Sequence, residues 1–228
     1  MEDYDKVYLV VTGAISWTIT FLLTRKIFPK WSFDLCKRIV STIHAVFAVV
    51  LCSISIQDWR CPMCPLASNS SPFQMGVSAL SLAYFIYDLA CCWADNNMTV
   101  DNLAHHLVRI IGIGAGLAYE MCGSEIMATL LFTEISSPFL HLREFLKELG
   151  YKNTYLNLAA DASFAASFTL ARMCFGPYFC YITQFSKNIP ILIKAMGLGL
   201  QLVSAFWFYK ITKVVNYKLI ERSTSKTC

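Results

Sequence analysis

Residues 101–117, DNLAHHLVRIIGIGAGL, combine several ionisable side chains with a long apolar run. If this segment is a helix, Asp101, His105 and Arg109 follow one another at intervals of four residues and share one face. His106 points about 100° away from that face. An aspartate four residues before a histidine can orient the imidazole and raise its basicity, as a general base requires. The spacing therefore predicts a polar site on a helix that is otherwise apolar.

The composition indicates that this helix lies in a membrane. The chain has 228 residues, of which 56% are hydrophobic and 15% are charged, and its mean hydropathy is +0.51. A helix needs roughly 20 apolar residues to cross a bilayer. Seven segments approach that length, and we therefore expect an all-α multi-pass membrane protein with about seven transmembrane helices. The segments are Val7–Thr24, Ile39–Ile56, Phe73–Trp93, Leu103–Tyr119, Ile126–Leu142, Tyr155–Ala171 and Ala195–Tyr209.

The remaining parts of the chain leave no room for a soluble domain. The first residues, MEDYDK, are acidic, so they do not look like a cleaved signal peptide and we expect the first helix to be retained. The longest connection, about 172–194, contains two prolines and many aromatic residues. This composition predicts a re-entrant or interfacial segment.

The distribution of lysine and arginine predicts the orientation. Thirteen of these residues fall in 25–38, 143–154 and the stretch from 210 onward, which share one side of the membrane. Five fall on the other side, where we place Lys6, Arg60, Arg172, Lys187 and Lys194. The positive-inside rule then puts the C-terminus in the cytosol and the N-terminus in the lumen. We expect the basic tail to contact anionic lipid rather than nucleic acid.

With this orientation, most of the buried ionisable residues lie in the cytosolic half of the membrane. A charged group facing lipid costs at least about 2.5 kcal/mol, so such residues usually face the interior of the bundle or a water-filled cavity. His44 and His141 are single histidines, so a packing role stays open for each of them. A hydrogen bond between Tyr84 and Asp88 would likewise be structural. The predicted polar pocket comprises Tyr84, Asp88, Asp101, His105, His106, Arg109, Glu134 and His141.

The sequence CPMC at 61–64 falls in a predicted luminal loop. Because the lumen is oxidising, Cys61 and Cys64 are candidates for a short disulfide. A structural zinc site needs four ligands and no second cysteine pair is near, so we expect no metal there. We also expect no cofactor elsewhere.

The stretch LAHHL (103–107) opens a predicted membrane helix, and the acidic stretch FTEISSPFLHLREFLKELG (132–150) follows about thirty residues later. Together they resemble the TLC domain, the family of ceramide synthases, translocating-chain-associated membrane proteins and an ER cargo receptor tied to ceroid lipofuscinosis. Three stretches, YFIYDL (84–89), LAHH (103–106) and GSEIMATLLFTEISSPFLHLRE (123–144), look most like the small subgroup typified by transmembrane protein 136. The resemblance implies six helices ringed around a cavity open to the cytosol, with one peripheral first helix. It divides the chain into an N-terminal segment (1–35), a TLC domain (36–215) and a cytosolic tail (216–228).

The resemblance also shows a departure. In ceramide synthases the histidine pair works with two aspartates three residues apart, and here the matching positions are Glu134 and Ser137. We therefore favour a protein that binds, senses or moves a lipid or acyl chain in endomembranes such as the endoplasmic reticulum. The alternative is an N-acyltransferase that uses acyl-CoA as a substrate, with His105, His106 and Asp101 catalytic. A second alternative is an adaptor for membrane cargo. Membrane lipids are the expected partners, and self-association stays open.

Overall fold

The computed structural model describes residues 3–95 and 98–224, with side chains described for 4–95 and 98–213. The C-terminal part of the predicted cytosolic tail, 225–228, lies outside the described residues. Nine α-helices and one π-helical turn make up the regular structure of the part described. The helices are α1 Asp3–Ile27, α2 Phe33–Ser55, α3 Pro72–Ala94, α4 Val100–Tyr119, α5 Gly123–Glu134, α6 Ser137–Glu148, α7 Tyr155–Phe168, α8 Gly176–Phe185 and α9 Ile191–Thr224, with the π-helical turn Thr169–Phe175 between α7 and α8.

Hydroxyl side chains fix where several helices begin. Ser32, Thr99 and Thr154 each accept a hydrogen bond from a backbone N–H three residues later, at the starts of α2, α4 and α7. Ser71 and Gln74 form a reciprocal capping box at the start of α3. Such caps satisfy N–H groups that the helix itself leaves unpaired. The starts of these helices are therefore encoded locally.

Six helical units form a closed ring, and α1 lies outside it. Around the ring, α2 contacts α3, α3 contacts α4, and α4 contacts α9. The ring continues from α9 to α8 and the π-helical turn, then through α7 to α6, and closes where α5 and α6 contact α2. Helix α1 packs mainly on α3 and less on α2. The expected all-α multi-pass architecture is confirmed.

The outer surface of this ring is apolar. Four of the described helices are long and apolar enough to cross a membrane: Tyr4–Ile27, Phe33–Ser55, Pro72–Ala94 and Ile191–Lys213. Large hydrophobic side chains remain exposed along α1 and α9, including Ile15, Leu22, Leu202 and Phe206. Such exposure is unfavourable in water and favourable in lipid. These helices therefore present a lipid-facing surface.

Two of the predicted segments differ from the observed helices. The helix expected over 126–142 is broken between Glu134 and Ser137, where α5 ends and α6 begins. Pro138 follows at the second position of α6, and it lacks the N–H that a continuous helix would use. The connection at 172–194, expected to be re-entrant or interfacial, continues the preceding helix as far as residue 185, because the π-helical turn joins α7 directly to α8. Residues 186–190 then separate α8 from α9.

Two glycines of α4 allow close packing against neighbouring helices. A Cβ atom at Gly116 would overlap the Cδ1 atom of Ile126 on α5. A Cβ at Gly112 would lie 3.2 Å from the Cβ of Met196 on α9. Small residues let helix backbones approach in membranes. They hold α4 between α5 and α9, and this fixes the face that carries the histidines.

Candidate functional site

The candidate site lies within the ring, toward the end where α1, α3 and α6 terminate and α2, α4 and α7 begin. We call this the basic end, because the predicted cytosolic lysines and arginines flank it. The opposite end carries the loop between α2 and α3 and the turn between α4 and α5. The site residues come from α2, α3, α4, α5, the π-helical turn and α9.

Arg109 and Glu134 form a buried ion pair at the centre of the site. Nη1 of Arg109 donates to Oε1 of Glu134, and the side chain of each residue is only 6% exposed. The guanidinium also lies 4.6 Å from the ring centroid of Phe85. Nη2 of Arg109 has no hydrogen-bond partner among the described residues. The predicted pocket residues Arg109 and Glu134 are thus brought together, but one donor is left over.

A second polar group forms where α3 meets α4. Nε2 of His106 lies 3.6 Å from Oδ2 of Asp88 and 4.0 Å from the sulfur of Cys92. The ammonium of Lys37 lies 3.4 Å from the same sulfur. His106 and Asp88 were predicted to line the pocket, whereas Lys37 and Cys92 were not. Nothing in the sequence pattern pointed to Lys37 and Cys92, because three different helices supply the residues of this group.

Asp88, Cys92 and His106 are also the residues that could hold a metal ion. One ligand atom from each lies within 4.8 Å of the other two. Carboxylate, thiolate and imidazole are ligands that zinc accepts. The Lys37 ammonium beside the sulfur already supplies a positive charge at this position. We therefore keep the expectation that no metal binds, as a prediction.

His105 is oriented by α9 rather than by Asp101. The Asp101 carboxylate accepts hydrogen bonds from Nε1 of Trp207 at 2.7 Å and from Nζ of Lys210 at 3.0 Å. The Trp207 ring lies 4.5 Å from the His105 ring, centroid to centroid. The expected direct Asp101–His105 contact is replaced by this indirect one, because the stronger donors on α9 occupy the carboxylate. Nδ1 of His105 has no partner among the described residues.

Arg172 is a site residue that the sequence reasoning misplaced. We expected it in a luminal connection, but it lies in the π-helical turn and is 6% exposed. Its Nη2 donates to the carbonyl oxygen of Thr133 at 2.6 Å. Nε and Nη1 have no partner among the described residues. An arginine within an apolar run was the signal that pointed to a buried role.

The other predicted pocket residues lie at the margin of the site. Tyr84 stacks on His44 with 3.7 Å between ring centroids, and Trp17 meets both rings edge-on. This aromatic cluster packs α1, α2 and α3 together. His141 is half-buried on α6, and its Nδ1 has no partner among the described residues. The cluster has the character of packing rather than of chemistry.

Two adjoining cavities lie beside Arg109 and Arg172 and are bordered by α8 and α9. One, of about 90 Å³, is lined by Arg109, by the buried Glu125 and by apolar side chains of α4, α5 and α9. The other, of about 50 Å³, is lined by Arg172. Thr129, Thr133 and Thr183 line both. The cavities therefore run from a polar end at the arginines into apolar walls.

Cys61 and Cys64 lie at the opposite end of the molecule and are joined by a disulfide in the structure. The same loop is fixed to the start of α5, because the N–H of Ala67 donates to Oε1 of Glu125 at 2.5 Å. The N–H of Ser70 donates to the carbonyl oxygen of Glu120, and Lys6 of α1 pairs with the Glu120 carboxylate. Glu125 also lines the larger of the two cavities, whereas the residues of this loop do not.

A lipid-facing ring of helices around a buried polar site defines a class of multi-pass membrane proteins with an intramembrane pocket. The family model for the TLC domain matches residues 34–213 of this chain. The chain therefore belongs to the TLC-domain family.

Several relatives match over most of the chain. It is similar to TLC domain-containing protein 4 C of Dictyostelium discoideum, with 29% identity over 206 residues, covering 84% of this chain and 72% of that protein. It is similar to TLC domain-containing protein 4-B of Danio rerio, with 27% identity over 226 residues, covering 89% and 84%. It is also similar to the topoisomerase I damage affected protein 4 of Saccharomyces cerevisiae, with 20% identity over 202 residues, covering 82% and 72%.

Proposed function

We propose that this protein binds a membrane lipid or acyl chain inside its helical ring and acts in lipid homeostasis by carrying, sensing or presenting it. The observation that carries the proposal is the pair of cavities, which join unpartnered donors of buried arginines to apolar walls. A pocket with a few polar groups and mostly hydrophobic walls is suited to a ligand with one polar end. A lipid is such a ligand.

The unpartnered polar atoms give the proposal independent support. Nδ1 of His105, Nδ1 of His106, Nη2 of Arg109 and two nitrogens of Arg172 are buried and lack partners among the described residues. A buried polar group without a hydrogen bond costs about 1–3 kcal/mol. Such a concentration of unmet donors and acceptors around one region favours a ligand or ordered water at that place.

The test is mass spectrometry of the lipids that remain with the purified protein. We expect His105→Ala to reduce the retained lipid several-fold while the melting temperature in detergent changes little, because Nδ1 of His105 has no partner among the described residues that truncation would leave unpaired. The matched control is His44→Phe, which keeps an aromatic ring against Tyr84 and should leave the lipid content unchanged. Wild-type protein without bound lipid, or unchanged lipid in His105→Ala, would contradict the proposal.

An N-acyltransferase is the second candidate, because two buried histidines stand side by side on α4. In this mechanism His105 would deprotonate an amine, His106 would position an acyl-CoA thioester and Arg109 would offset developing oxyanion charge. Glu134 is already committed to Arg109, and Ser137 carries no acid. The geometry therefore favours binding over transfer.

The enzymatic candidate is tested with acyl-CoA and a sphingoid amine. We expect no ceramide from the wild type. The double variant Glu134→Asp, Ser137→Asp rebuilds the acid pair of ceramide synthases, and ceramide from that variant alone would mark the natural chain as a non-enzymatic relative. Ceramide from the wild type would replace lipid binding by acyl transfer as the function.

A further inference from the structure

Arg172 is a buried cation without an ion-pair partner among the described residues at its end of the site. Glu134 is paired with Arg109, and Asp88 lies beside His106, near the Lys37 ammonium. Arg172 has no carboxylate partner among the residues whose side chains are described. Its only described hydrogen bond through the guanidinium reaches a backbone carbonyl oxygen. A further buried carboxylate, that of Glu125 at the start of α5, lies in the wall of the larger cavity and accepts a hydrogen bond from the Ala67 N–H.

Burying an unpaired cation in a membrane is unfavourable, and aromatic rings compensate for it only in part. The Arg172 guanidinium lies 5.1 Å from the centroid of the Phe168 ring and 5.9 Å from that of Trp207. Cation–π contacts contribute about 0.5–2 kcal/mol, much less than the cost of desolvating a charge. The rings hold the guanidinium in place, but they leave its Nε and Nη1 donors unmet.

These free donors adjoin the cavities. Arg172 lines the smaller cavity and Arg109, whose Nη2 is also unpartnered, lines the larger one. Thr133 lies in the walls of both cavities, and its carbonyl oxygen accepts a hydrogen bond from the Arg172 guanidinium. Arginine presents planar paired donors that match the oxygens of a carboxylate or a phosphate. Beyond the arginines the wall of the larger cavity is mostly apolar, with Ile113, Ile193 and Met196 among its residues. It also includes the buried Glu125.

We infer that the ligand of this site is an anionic amphiphile, whose carboxylate or phosphate binds Arg172 and Arg109 and whose hydrocarbon chain enters the cavity beside α9. This inference rests on the proposed lipid-binding function and names the chemical class of the lipid. One negative charge on the head group would pair with the Arg172 cation. The oxyanion would accept hydrogen bonds from the guanidinium nitrogens of Arg172 and Arg109 that have no partner among the described residues.

The π-helical turn explains how Arg172 reaches this position. A π-helix shifts the hydrogen-bond register, and such turns occur frequently at functional sites. The carbonyl oxygen of Arg172 accepts a hydrogen bond from Nε2 of Gln201 on α9 at 3.2 Å. Arg172 is thereby fixed to α9 through its backbone and to α5 through its side chain. The π-helical turn therefore holds Arg172, in an otherwise apolar helix, as a fixed hydrogen-bond donor for an anion.

The inference is tested by native mass spectrometry of the delipidated full-length protein titrated with oleate, 1-oleoyl lysophosphatidate, oleyl alcohol or inorganic phosphate. We expect at least one of the two anionic lipids to bind ten-fold or more tightly than oleyl alcohol, which has the same chain without the charge. The tighter of the two identifies the head group. Equal binding of oleyl alcohol, or equally tight binding of inorganic phosphate, would overturn the inference.

The matched variants are Arg172→Gln and Arg143→Gln. Arg143 also lies over a phenylalanine, 5.4 Å from the Phe164 centroid, but it is paired with Asp161. We expect Arg172→Gln to remove the preference for the anionic lipids and Arg143→Gln to retain it. Retention by Arg172→Gln would also overturn the inference. If Arg172→Gln fails to fold, Arg172→Lys, which keeps the charge, takes its place in the titration. The comparison of anionic and neutral probes on the wild type then decides whether the inference holds.

The same experiment separates this inference from the function on which it rests. Copurified neutral lipid, together with weak binding of both anionic probes, would reject the anionic head group and leave lipid binding intact. Absence of any retained or added lipid would reject the proposed function itself.

Discussion

At the scale of single residues, the Arg109–Glu134 pair is the strongest electrostatic element of the site. We expect Glu134→Gln to lower the free energy of unfolding by about 3–5 kcal/mol, because it leaves the Arg109 guanidinium buried without a carboxylate. Replacing both residues by methionine removes both charges and should cost clearly less. Thermal unfolding in a mild detergent measures the difference. A double variant as unstable as the single one would show that the ion pair is not the cause.

Residue types and helical spacing predicted part of the site. The period of the helix placed His105 and Arg109 on the inner face of α4, and both are buried there. The neighbour of His105 was not predictable, because Trp207 on α9 reaches α4 from far along the chain. The predicted contact between Asp101 and His105 is absent, because Trp207 and Lys210 donate hydrogen bonds to the Asp101 carboxylate instead.

At the scale of helices, the approach of α4 to α5 depends on Gly116. We expect Gly116→Ala to be less stable than Gly114→Ala by about 1 kcal/mol, because the added methyl forces the Cδ1 end of Ile126 to move. Gly114→Ala is the matched control on the same helix, where a Cβ would meet no atom within 4 Å. The melting temperatures of the two variants in detergent make the comparison. Equal gains in both variants would mean that the higher helix propensity of alanine, rather than close packing at Gly116, decides the effect.

Hydropathy predicted where helices exist better than where they break. The apolar segments at 7–24, 39–56 and 73–93 each lie within one observed helix or extend one residue past it. The break between α5 and α6 was missed because hydropathy does not show that Pro138 lacks the N–H needed to continue a helix. The continuation of α7 into α8 was missed because a π-helical turn has no strong compositional signal, and the prolines and aromatics there imitate an interfacial loop.

The loop between α2 and α3 provides a second prediction at this scale. If the loop lies in an oxidising lumen, Cys61 and Cys64 should react with a maleimide only after a reductant is added. The labelling is measured in vesicles opened on the luminal side, with the buried Cys36 as an internal control that stays unlabelled before and after reduction. Labelling of the loop without reductant would reject the disulfide and leave the proposed topology unaffected.

At the scale of the whole molecule, the structure alters the charge count behind the proposed orientation. Removing the buried Arg172 from the five basic residues of the proposed luminal side leaves four, against thirteen on the other. The asymmetry that favours a cytosolic basic end therefore increases. Arg172, whose burial contradicts its predicted place in a luminal connection, thus supports the predicted orientation. It also supplies the cation of the proposed lipid site.

The orientation itself is the last prediction, because it decides from which side the polar end of the site is reached. We expect an epitope tag after Cys228 to be accessible to antibody when only the plasma membrane is permeabilised, because thirteen basic residues favour the cytosol. A tag before Met1 should become accessible only after all membranes are permeabilised. The control is a variant in which Lys26, Lys30 and Lys152 are changed to glutamine, which reduces the asymmetry and should increase the fraction of molecules in the opposite orientation. Protection of the C-terminal tag in the wild type would place His105, His106 and the arginines toward the lumen, where cytosolic acyl donors and lipid carriers could not reach them.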